Sequence, residues 1–215
     1  MGRLVGVFGT GGFGREVMAL VRLQLAKHDE GDELVFVMPT IGSDTTNLPV
    51  MAEAEFLGSD RPRAFTIAIT DGSVRKRLHA LAINSNADPL EVRSSSAEVL
   101  GDVSIGAGAI LCGHSSITTN TRVGLGFQLN ISSYLAHDCL IGDFVTFGPN
   151  VVCAGNIVVE DGAYIGAGAL IRQGQPGAPV TIGAGAVIGM GAVVTKNVAP
   201  GAVVVGNPAH ELKKG

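Results

Sequence analysis

Hydrophobic positions recur every six residues through the second half of the chain. A step of six from Val99 to Ile171 meets an apolar residue at all thirteen positions, and the same step resumes at Ile182, Ile188 and Val194. A period of six is too short for helical repeats. It predicts a parallel β-helix, in which each hexad forms one short strand and one corner, and three hexads form one triangular coil. The thirteen anchors are Val99, Ile105, Leu111, Ile117, Val123, Leu129, Leu135, Ile141, Phe147, Cys153, Val159, Ile165 and Ile171.

The residues between the anchors fit the same architecture. A small or branched residue lies four positions after nearly every anchor. Both are expected to point inward and to stack on the next coil, about 4.8 Å along the axis. Gly, Asp and Asn crowd the other positions, where a corner needs unusual backbone angles. Ile171 and Ile182 are 11 residues apart instead of 6, so the stretch 172–181 is expected to loop out of the coil. A Gly/Ala-rich linker is the alternative, and the regular anchors argue against it.

The first 92 residues follow a different pattern, in which short apolar runs alternate with segments of helical spacing. This alternation predicts a small parallel α/β unit over residues 1–92, followed by the β-helix domain over 93–215. Ser73 is expected to cap the second helix. The predicted strands cover 3–9, 33–38 and 64–70, and the predicted helices cover 14–28 and 73–85.

Composition excludes several classes of protein. With 31 Gly, no Trp and 5% aromatic residues, the core must be a regular lattice of aliphatic side chains. A net charge of −4 does not suggest a nucleic-acid surface. The apolar runs end before the roughly 20 residues of a membrane span, and the N-terminus is interpreted as a buried strand rather than a signal peptide. Cys112, Cys139 and Cys153 form no metal-type pair, so we expect a reduced cytoplasmic protein without a metal.

A glycine-rich loop follows the first predicted strand. Gly9, Gly11 and Gly14 satisfy the G-x-G-x-x-G spacing of a dinucleotide-binding turn. The second predicted strand, however, ends without the acidic residue expected about 20 positions on. The unit is also about half the size of a dinucleotide fold. A truncated unit can still bind a pyrophosphate at the helix N-terminus, and an NAD-binding regulator remains an alternative.

Three stretches and the hexads resemble one known group of enzymes. Hexads such as "IGAGAL" and "IGAGAV" resemble those of the hexapeptide acyltransferases, whose left-handed β-helices form trimers. The opening "GTGGFGREV", the coil "LNISSYLAHDCLIGDFVTFGPNVVCAGN" and the ending "VVVGNPAHELKK" resemble bacterial nucleotide-sugar acyltransferases. That group includes N-acetyltransferases of nucleotide-linked 4-amino-4,6-dideoxy sugars and sialic-acid O-acetyltransferases. The resemblance implies a homotrimer, acetyl-CoA as co-substrate and a small Rossmann-like domain that binds the nucleotide sugar.

His137 is the strongest candidate for chemistry. It is third in its hexad, which places it at a corner with its side chain outside the coil. Imidazole, with an ordinary pKa near ~6.5, can take a proton from an amine or hydroxyl that attacks a thioester. Asp138 can accept a hydrogen bond from the other ring nitrogen and stabilise the imidazolium. The resemblance implies the same roles, and an exposed corner histidine without a role is the alternative.

The resemblance implies three further sets of contacts. For each set, the alternative is that these residues serve only the geometry of the repeat or of the turn. Asn130 would contact the sugar, and the backbone N–H of Gly155 would face the acetyl carbonyl. The pantetheine arm of the coenzyme would run along the coils, and the glycine loop and the end of the third strand would hold the nucleotide. The residues implied for the coenzyme are Gly155, Ala167, Gly189 and Gly191, and those for the nucleotide are Gly11, Gly12, Phe13, Gly14, Thr70 and Asp71.

The chain also departs from this group. Phe13 and Thr146 stand where relatives often have histidines, and the positions near Val37 and Met38 lack the acidic residues of some relatives. These departures leave the identity of the nucleobase open, but they do not affect the interpretation of His137.

Direct attack on acetyl-CoA is the expected mechanism. Cys139 and Cys153 occupy inward positions and should be buried and inert, which disfavours a covalent intermediate. A zinc hydratase on the same helix would need a pair of histidines five residues apart, which is missing. We therefore expect an N-acetyltransferase acting on a nucleotide-linked amino sugar. An O-acetyltransferase for a hydroxyl such as that of sialic acid and a non-catalytic β-helix binding protein are the alternatives.

Overall fold

The computed structural model describes residues 2–26, 31–40 and 49–212. Lys27 and His28, at the end of the first predicted helix, lie outside the described residues, as do Lys213 and Lys214 of the C-terminal motif. No helix in the described ranges is long and apolar enough to cross a membrane.

The N-terminal part is a five-stranded parallel sheet with helices packed against it. Its strand order is β3-β2-β1-β4-β5. Three strands and two helices agree with the sequence prediction, whereas β3, β5 and α2 were missed because they are too short to show a period. The elements are β1 (Leu4–Phe8), α1 (Gly12–Leu25), β2 (Glu33–Met38), β3 (Val50–Ala52), α2 (Glu53–Gly58), β4 (Arg63–Ile67), α3 (Gly72–Asn84) and β5 (Asp88–Pro89).

Burial explains why β1 lies at the centre of this sheet. Every residue of β1 is buried, as expected for a parallel strand covered on both faces. On α1, Val17, Met18 and Val21 are buried on one face, which follows the apolar periodicity of the sequence. The carboxyl ends of β1 and β4 are neighbours, so the loops that follow these two strands lie at the same edge of the sheet.

The N-cap of α3 differs from the prediction. Asp71, not Ser73, is the capping residue, and its carboxylate accepts hydrogen bonds from the backbone N–H groups of Ser73 (2.8 Å) and Val74 (3.2 Å). The Ser73 hydroxyl donates to the same carboxylate at 2.6 Å. These bonds hold the pKa of Asp71 below its usual value. The prediction was wrong because an aspartate and a serine two residues apart both suit a cap, and only the extended backbone of Asp71 identifies it.

The second part is a parallel β-helix of nineteen short strands. Its coils have three faces, and successive strands pass from face 1 to face 2 to face 3 and back to face 1. Face 1 contains β6 (Val92–Arg93), β9 (Ile110–Leu111), β12 (Gln128–Leu129), β15 (Thr146–Phe147), β18 (Tyr164–Ile165), β21 (Val187–Ile188) and β23 (Val203–Val205), with β24 (His210–Glu211) antiparallel at its end; face 2 contains β7 (Glu98–Val99), β10 (Ser116–Ile117), β13 (Tyr134–Leu135), β16 (Val152–Cys153), β19 (Leu170–Ile171) and β22 (Val193–Val194); face 3 contains β8 (Val103–Ile105), β11 (Thr121–Val123), β14 (Leu140–Ile141), β17 (Ile157–Val159) and β20 (Val180–Ile182).

The predicted anchors form the interior of this β-helix. All of them from Leu111 onward are buried, and each stacks on the residue one coil away, as Leu111 does on Leu129. Val99 and Ile105 are only partly buried because they belong to the first coils. Phe127 and Phe147 pack edge-to-face inside, with ring centroids 5.3 Å apart. A lattice of stacked aliphatic anchors therefore replaces a conventional core.

The corners carry the backbone angles that the composition predicted. Asp102, Asn120, Asp138 and Asn156 recur at 18-residue spacing with positive φ of 53–58°. Asn and Asp tolerate this left-handed conformation better than other non-glycine residues. In the stretch 172–181, Gln175 and Ala178 form an isolated antiparallel bridge before β20 rejoins face 3.

The N-terminal sheet and its helices pack against face 1. As a result, the outward-pointing side chains of Ile110, Gln128 and Thr146 are buried. The outward-pointing side chains of face 2 remain exposed, as Tyr134 and Leu170 show. Faces 2 and 3 and the corner between them are therefore open in the single chain.

Candidate active site

His137 lies at the corner between faces 2 and 3, after β13 and before β14. Its carbonyl accepts a hydrogen bond from the backbone N–H of Asn156 in the following coil (3.1 Å), and the N–H of Asp138 donates to the carbonyl of Thr119 in the preceding coil (3.3 Å). The backbone is thus held from both sides, while the His137 side chain is 42% exposed. This combination fixes an imidazole in place and leaves it accessible to a ligand.

His137 and Asp138 are paired, as their adjacency in sequence had made possible. The His137 Nδ1 and the Asp138 Oδ2 are 2.6 Å apart. Hydrogen bonds from His137 and from Asn120 hold the pKa of Asp138 below its usual value, so this carboxylate is ionised near neutral pH and accepts. Nδ1 therefore donates in this pair, and in the neutral form of the ring Nε2 is the nitrogen whose lone pair can accept a proton from a nucleophile.

Asn120 is a member of this cluster that sequence reasoning missed. Its side-chain Nδ2 donates to Oδ1 of Asp138, the carboxylate oxygen that does not face His137. Asn120 precedes Asp138 by 18 residues, which is one coil. The period of the repeat could have revealed this contact, because residues one coil apart lie next to each other at every corner.

Gly155 lies one coil beyond His137 at the same corner. A Cβ atom at Gly155 would come within 2.5 Å of His137 Cε1 and 2.6 Å of Nε2. The imidazole ring therefore packs directly over the Gly155 backbone, and no other residue leaves room for it. The structure brings together the predicted residues His137, Asp138 and Gly155.

The remaining predicted coenzyme and sugar residues lie at a different corner, between faces 1 and 2. Asn130 follows β12, Ala167 follows β18, and Gly189 and Gly191 follow β21. The backbone N–H of Gly191 donates to the carbonyl of Ala167 (2.9 Å), so these positions form one column along the coils. Within one chain, face 2 separates this column from His137.

The glycine loop is open where a phosphate would approach. Gly11 is the N-cap of α1, Gly12 is its first residue, and a Cβ at either would meet no atom within 4 Å. Gly14 is buried, and its Cβ would lie 2.0 Å from the carbonyl oxygen of Gly9, so here glycine permits close packing of helix against strand. Phe13 is partly buried and packs against the apolar cluster between α1 and the sheet.

Thr70 and Asp71 lie after β4, at the same edge of the sheet as the glycine loop. The Thr70 carbonyl accepts a hydrogen bond from the Thr146 hydroxyl at 3.0 Å. Thr146 is therefore buried between the N-terminal part and face 1. Parallel α/β sheets bind ligands at the carboxyl edge where neighbouring connections diverge, and β1 and β4 meet at such an edge here.

The cysteine thiols lie in the interior of the chain. Burial, with the nearby Glu16 carboxylate, raises the pKa of Cys112 to about 12. The neighbouring Cys139 thiol and burial together raise the pKa of Cys153 well above its usual value. All three cysteines are buried and free. Within the parts of the chain that the structure describes, no three His, Cys, Asp or Glu side chains form a group that could hold a metal ion.

Comparison with known proteins decides the family. No protein-family model matches the sequence. The GDP-perosamine N-acetyltransferase of Escherichia coli O157:H7 is 42% identical over 214 residues, which cover 98% of this chain and 97% of that protein. The chain belongs to the hexapeptide-repeat nucleotide-sugar acetyltransferases. The resemblance stated from the sequence motifs is thus confirmed, and so is the prediction of an acyltransferase.

Solved structures of this family agree over the full length. WeeI from Acinetobacter baumannii AYE is 44% identical with a TM-score of 0.92, covering 98% of this chain and 100% of that one. The acetyltransferase domain of PglB from Neisseria gonorrhoeae FA1090, solved in complex with acetyl coenzyme A, is 26% identical with a TM-score of 0.86, covering 99% and 100%. Both matches span the N-terminal sheet and the β-helix together.

Proposed function

We propose that this enzyme transfers the acetyl group of acetyl-CoA to the amino group of a nucleotide-linked 4-amino sugar. The observation that carries the proposal is the His137–Asp138 pair, held at an exposed corner with Nδ1 of the imidazole on the carboxylate. The similarity to the GDP-perosamine N-acetyltransferase makes GDP-perosamine the first substrate to test.

His137 acts as the general base in this proposal. The amine nitrogen attacks the thioester carbonyl, and Nε2 of His137 takes the proton that the nitrogen loses. The ionised Asp138 stabilises the resulting imidazolium. The backbone N–H of Gly155 donates to the oxyanion of the tetrahedral intermediate. The coenzyme A thiolate then leaves and recovers the proton, so no covalent enzyme intermediate forms.

The N-terminal part, residues 1–92, holds the nucleotide. Its strand order β3-β2-β1-β4-β5 supports a Rossmann-like domain, and the open N-terminus of α1 at Gly11 and Gly12 suits a pyrophosphate. Gly14 and Phe13 shape the same turn. Thr70 and Asp71 lie at the neighbouring loop, near the base or ribose.

A complete site needs more than one copy of the chain. The N-terminal part packs on face 1, and His137 lies at the opposite corner of the triangular coil, between faces 2 and 3. We infer a homotrimer of left-handed β-helices, residues 93–215, in which the nucleotide loops of one copy face His137 of the next. Exposed apolar side chains flank His137 on both faces, such as Tyr134 on face 2 and Leu140 on face 3. The coenzyme lies along the column of Ala167, Gly189 and Gly191, with Asn130 near the sugar.

An assay of thiol release from acetyl-CoA tests this function. The panel contains GDP-, dTDP- and UDP-linked 4-amino sugars, and sialic acid as a hydroxyl acceptor. We expect turnover with an amino sugar and an amide product. An ester product from sialic acid would instead identify an O-acetyltransferase, and no thiol release with any acceptor would contradict the proposal.

Substitution of the base tests the mechanism. His137→Asn should lower kcat by on the order of 10²–10⁴, because proton removal from the nucleophile loses its acceptor. His114→Asn is the matched control, since His114 is also a corner histidine but lies between faces 1 and 2 and has no carboxylate beside it in the sequence. Near-wild-type turnover in purified His137→Asn would exclude His137 as the base.

A further inference from the structure

Three buried polar side chains join the N-terminal sheet to the β-helix. Gln128 and Thr146 point outward from face 1 in consecutive coils, next to each other in register, and are 1% and 3% exposed. Arg75, on α3, is 1% exposed. In the coil before Gln128, the equivalent position is Ile110, which packs against an apolar cluster with α1. The packing surface thus changes from apolar to polar at the coil of Gln128.

These side chains bind the backbone carbonyls at the end of β4. Gln128 Nε2 donates to the carbonyls of Ile67 (2.8 Å) and Ile69 (3.1 Å). The Thr146 hydroxyl donates to the carbonyl of Thr70 (3.0 Å). Three carbonyls within four residues are therefore held by side chains, immediately before Asp71 and α3.

Arg75 completes this network from the other side. Its Nη1 donates to the carbonyl of Ile69 (2.8 Å) and to Gln128 Oε1 (3.3 Å), and its Nη2 donates to the carbonyl of Phe144 in the β-helix. Burial lowers the pKa of Arg75 to about 10, so the guanidinium remains charged at neutral pH. Bonds from a buried charged donor are directional and costly to break. The loop is therefore fixed to the β-helix in one position.

The contacts on the β-helix side come from the coil that carries the base and from the first strand of the next coil. One turn of chain leads from Gln128 to Thr146, and His137, Asp138 and Phe144 lie within it. The loop is therefore attached at the same height along the prism as His137. Rotation about an axis parallel to the long axis of the β-helix leaves that height unchanged. In a trimer around such an axis, the loop of one copy meets His137 of the next at the same level.

We propose that Arg75, Gln128 and Thr146 are positioning residues, which align the nucleotide loop at Thr70 and Asp71 with the base of the neighbouring copy. This inference rests on the proposed function. It assigns Thr146 a role in holding the substrate loop.

The substitution Thr146→Val tests the proposal because it removes one hydroxyl and keeps the shape. We expect kcat/KM for the sugar nucleotide to fall about fivefold, the size of one lost hydrogen bond, with the KM for acetyl-CoA unchanged. Thr146→Ser, which keeps the hydroxyl, should restore the value. Thr66→Val is the matched control, since Thr66 is a buried residue of β4 whose hydroxyl has no hydrogen-bond partner among the described residues.

The outcomes separate this proposal from the proposed function. Unchanged kinetics in Thr146→Val, in an enzyme whose wild type is active, would overturn the positioning role alone. An equal loss in Thr66→Val, or a comparable rise in the KM for acetyl-CoA, would do the same. A wild type that acetylates no sugar nucleotide would overturn the proposed function itself. Should Thr146→Val melt below the assay temperature, Gln128→Met provides a second variant, for which the same selective loss is expected.

Discussion

At the corner between faces 2 and 3, successive coils place Gly101, Thr119, His137 and Gly155 in equivalent positions. The residue after each of them has nearly the same positive φ, from 53° to 58°. The backbone is thus constant along this column and only the side chains vary. One coil carries an imidazole in this column, that of His137, and the next coil has Gly155 beneath the imidazole ring. At the residue scale, the chemistry of this corner depends on which side chain stacks on which.

Gly155→Ala should therefore disable the base without replacing it. The new methyl group would lie within 2.5 Å of the His137 ring, so the imidazole must move off the corner. A displacement of about 1 Å of a catalytic group can cost on the order of 10²-fold in rate. We expect a loss of this size in kcat, measured by thiol release. Gly101→Ala is the control, because a Cβ there meets no atom within 4 Å, and an equal loss in both variants would contradict the argument.

The residues that sequence reasoning found and missed differ in how their contacts arise. The His137–Asp138 pair was predictable because adjacent residues at a corner can reach each other. The contacts of Asn120 with Asp138 and of Gly155 with His137 arise between coils. They depend on the register in which one coil stacks on the next. The anchors indicate this register, but the contacts between corner side chains also depend on which residues occupy the corners. The contact of Thr146 with Thr70 joins the β-helix to the N-terminal sheet, and no local pattern predicts it.

At the element scale, the two parts of the chain are stabilised differently. The strands of the β-helix are only two or three residues long, so each is stable only because it pairs with the coils before and after it. Their regular repeat made them visible in the sequence. The N-terminal sheet has longer central strands but shorter edge elements, and β3, α2 and β5 are held by packing rather than by their own pattern. This is why the sequence predicted the core of that sheet and not its edges.

One ion pair connects the first two strands of the N-terminal sheet, and it predicts a pH-dependent stability. The Asp32 carboxylate, 6% exposed, accepts from the Arg3 backbone N–H (2.8 Å), Nε (3.3 Å) and Nη2 (2.8 Å). The Arg3 guanidinium holds the pKa of Asp32 below its usual value of 3.8. A lowered pKa means that the stabilisation is present above 3.8 and is lost as the pH falls through the lower value in the folded protein.

Asp32→Asn should thus lower the free energy of unfolding by about 1.5–3 kcal/mol at pH 7, as expected for hydrogen bonds to a charged group. The difference from wild type should shrink as the pH falls below 3.8. Urea unfolding at a series of pH values measures both effects. Asp60→Asn, at an exposed carboxylate, should change stability little. A pH-independent loss in Asp32→Asn would show that the ionised carboxylate is not the cause.

At the scale of the whole molecule, the two halves of the proposed site face away from each other. The glycine loop and Thr70 belong to the part that packs on face 1, whereas His137 lies at the opposite corner. A rigid chain of this shape cannot bring them together, because the buried network of Arg75, Gln128 and Thr146 fixes the loop to the β-helix. Assembly of identical copies in a closed ring solves this, since each copy then offers a loop to one neighbour and a base to the other.

Mixed assemblies of two inactive variants test this arrangement. His137→Asn removes the base and leaves the glycine loop intact. Gly12→Asp leaves the base intact and places a carboxylate against the phosphates, at a position with open space around it. Each variant alone should be nearly inactive. When the two are co-expressed in equal amounts, about a quarter of the sites in random rings combine an intact loop from one copy with an intact His137 from its neighbour. The co-expressed population, purified as a whole, should therefore recover about a quarter of the wild-type kcat, measured by thiol release. If loop and base belonged to one chain, every site would keep one defect, and mixing would restore nothing.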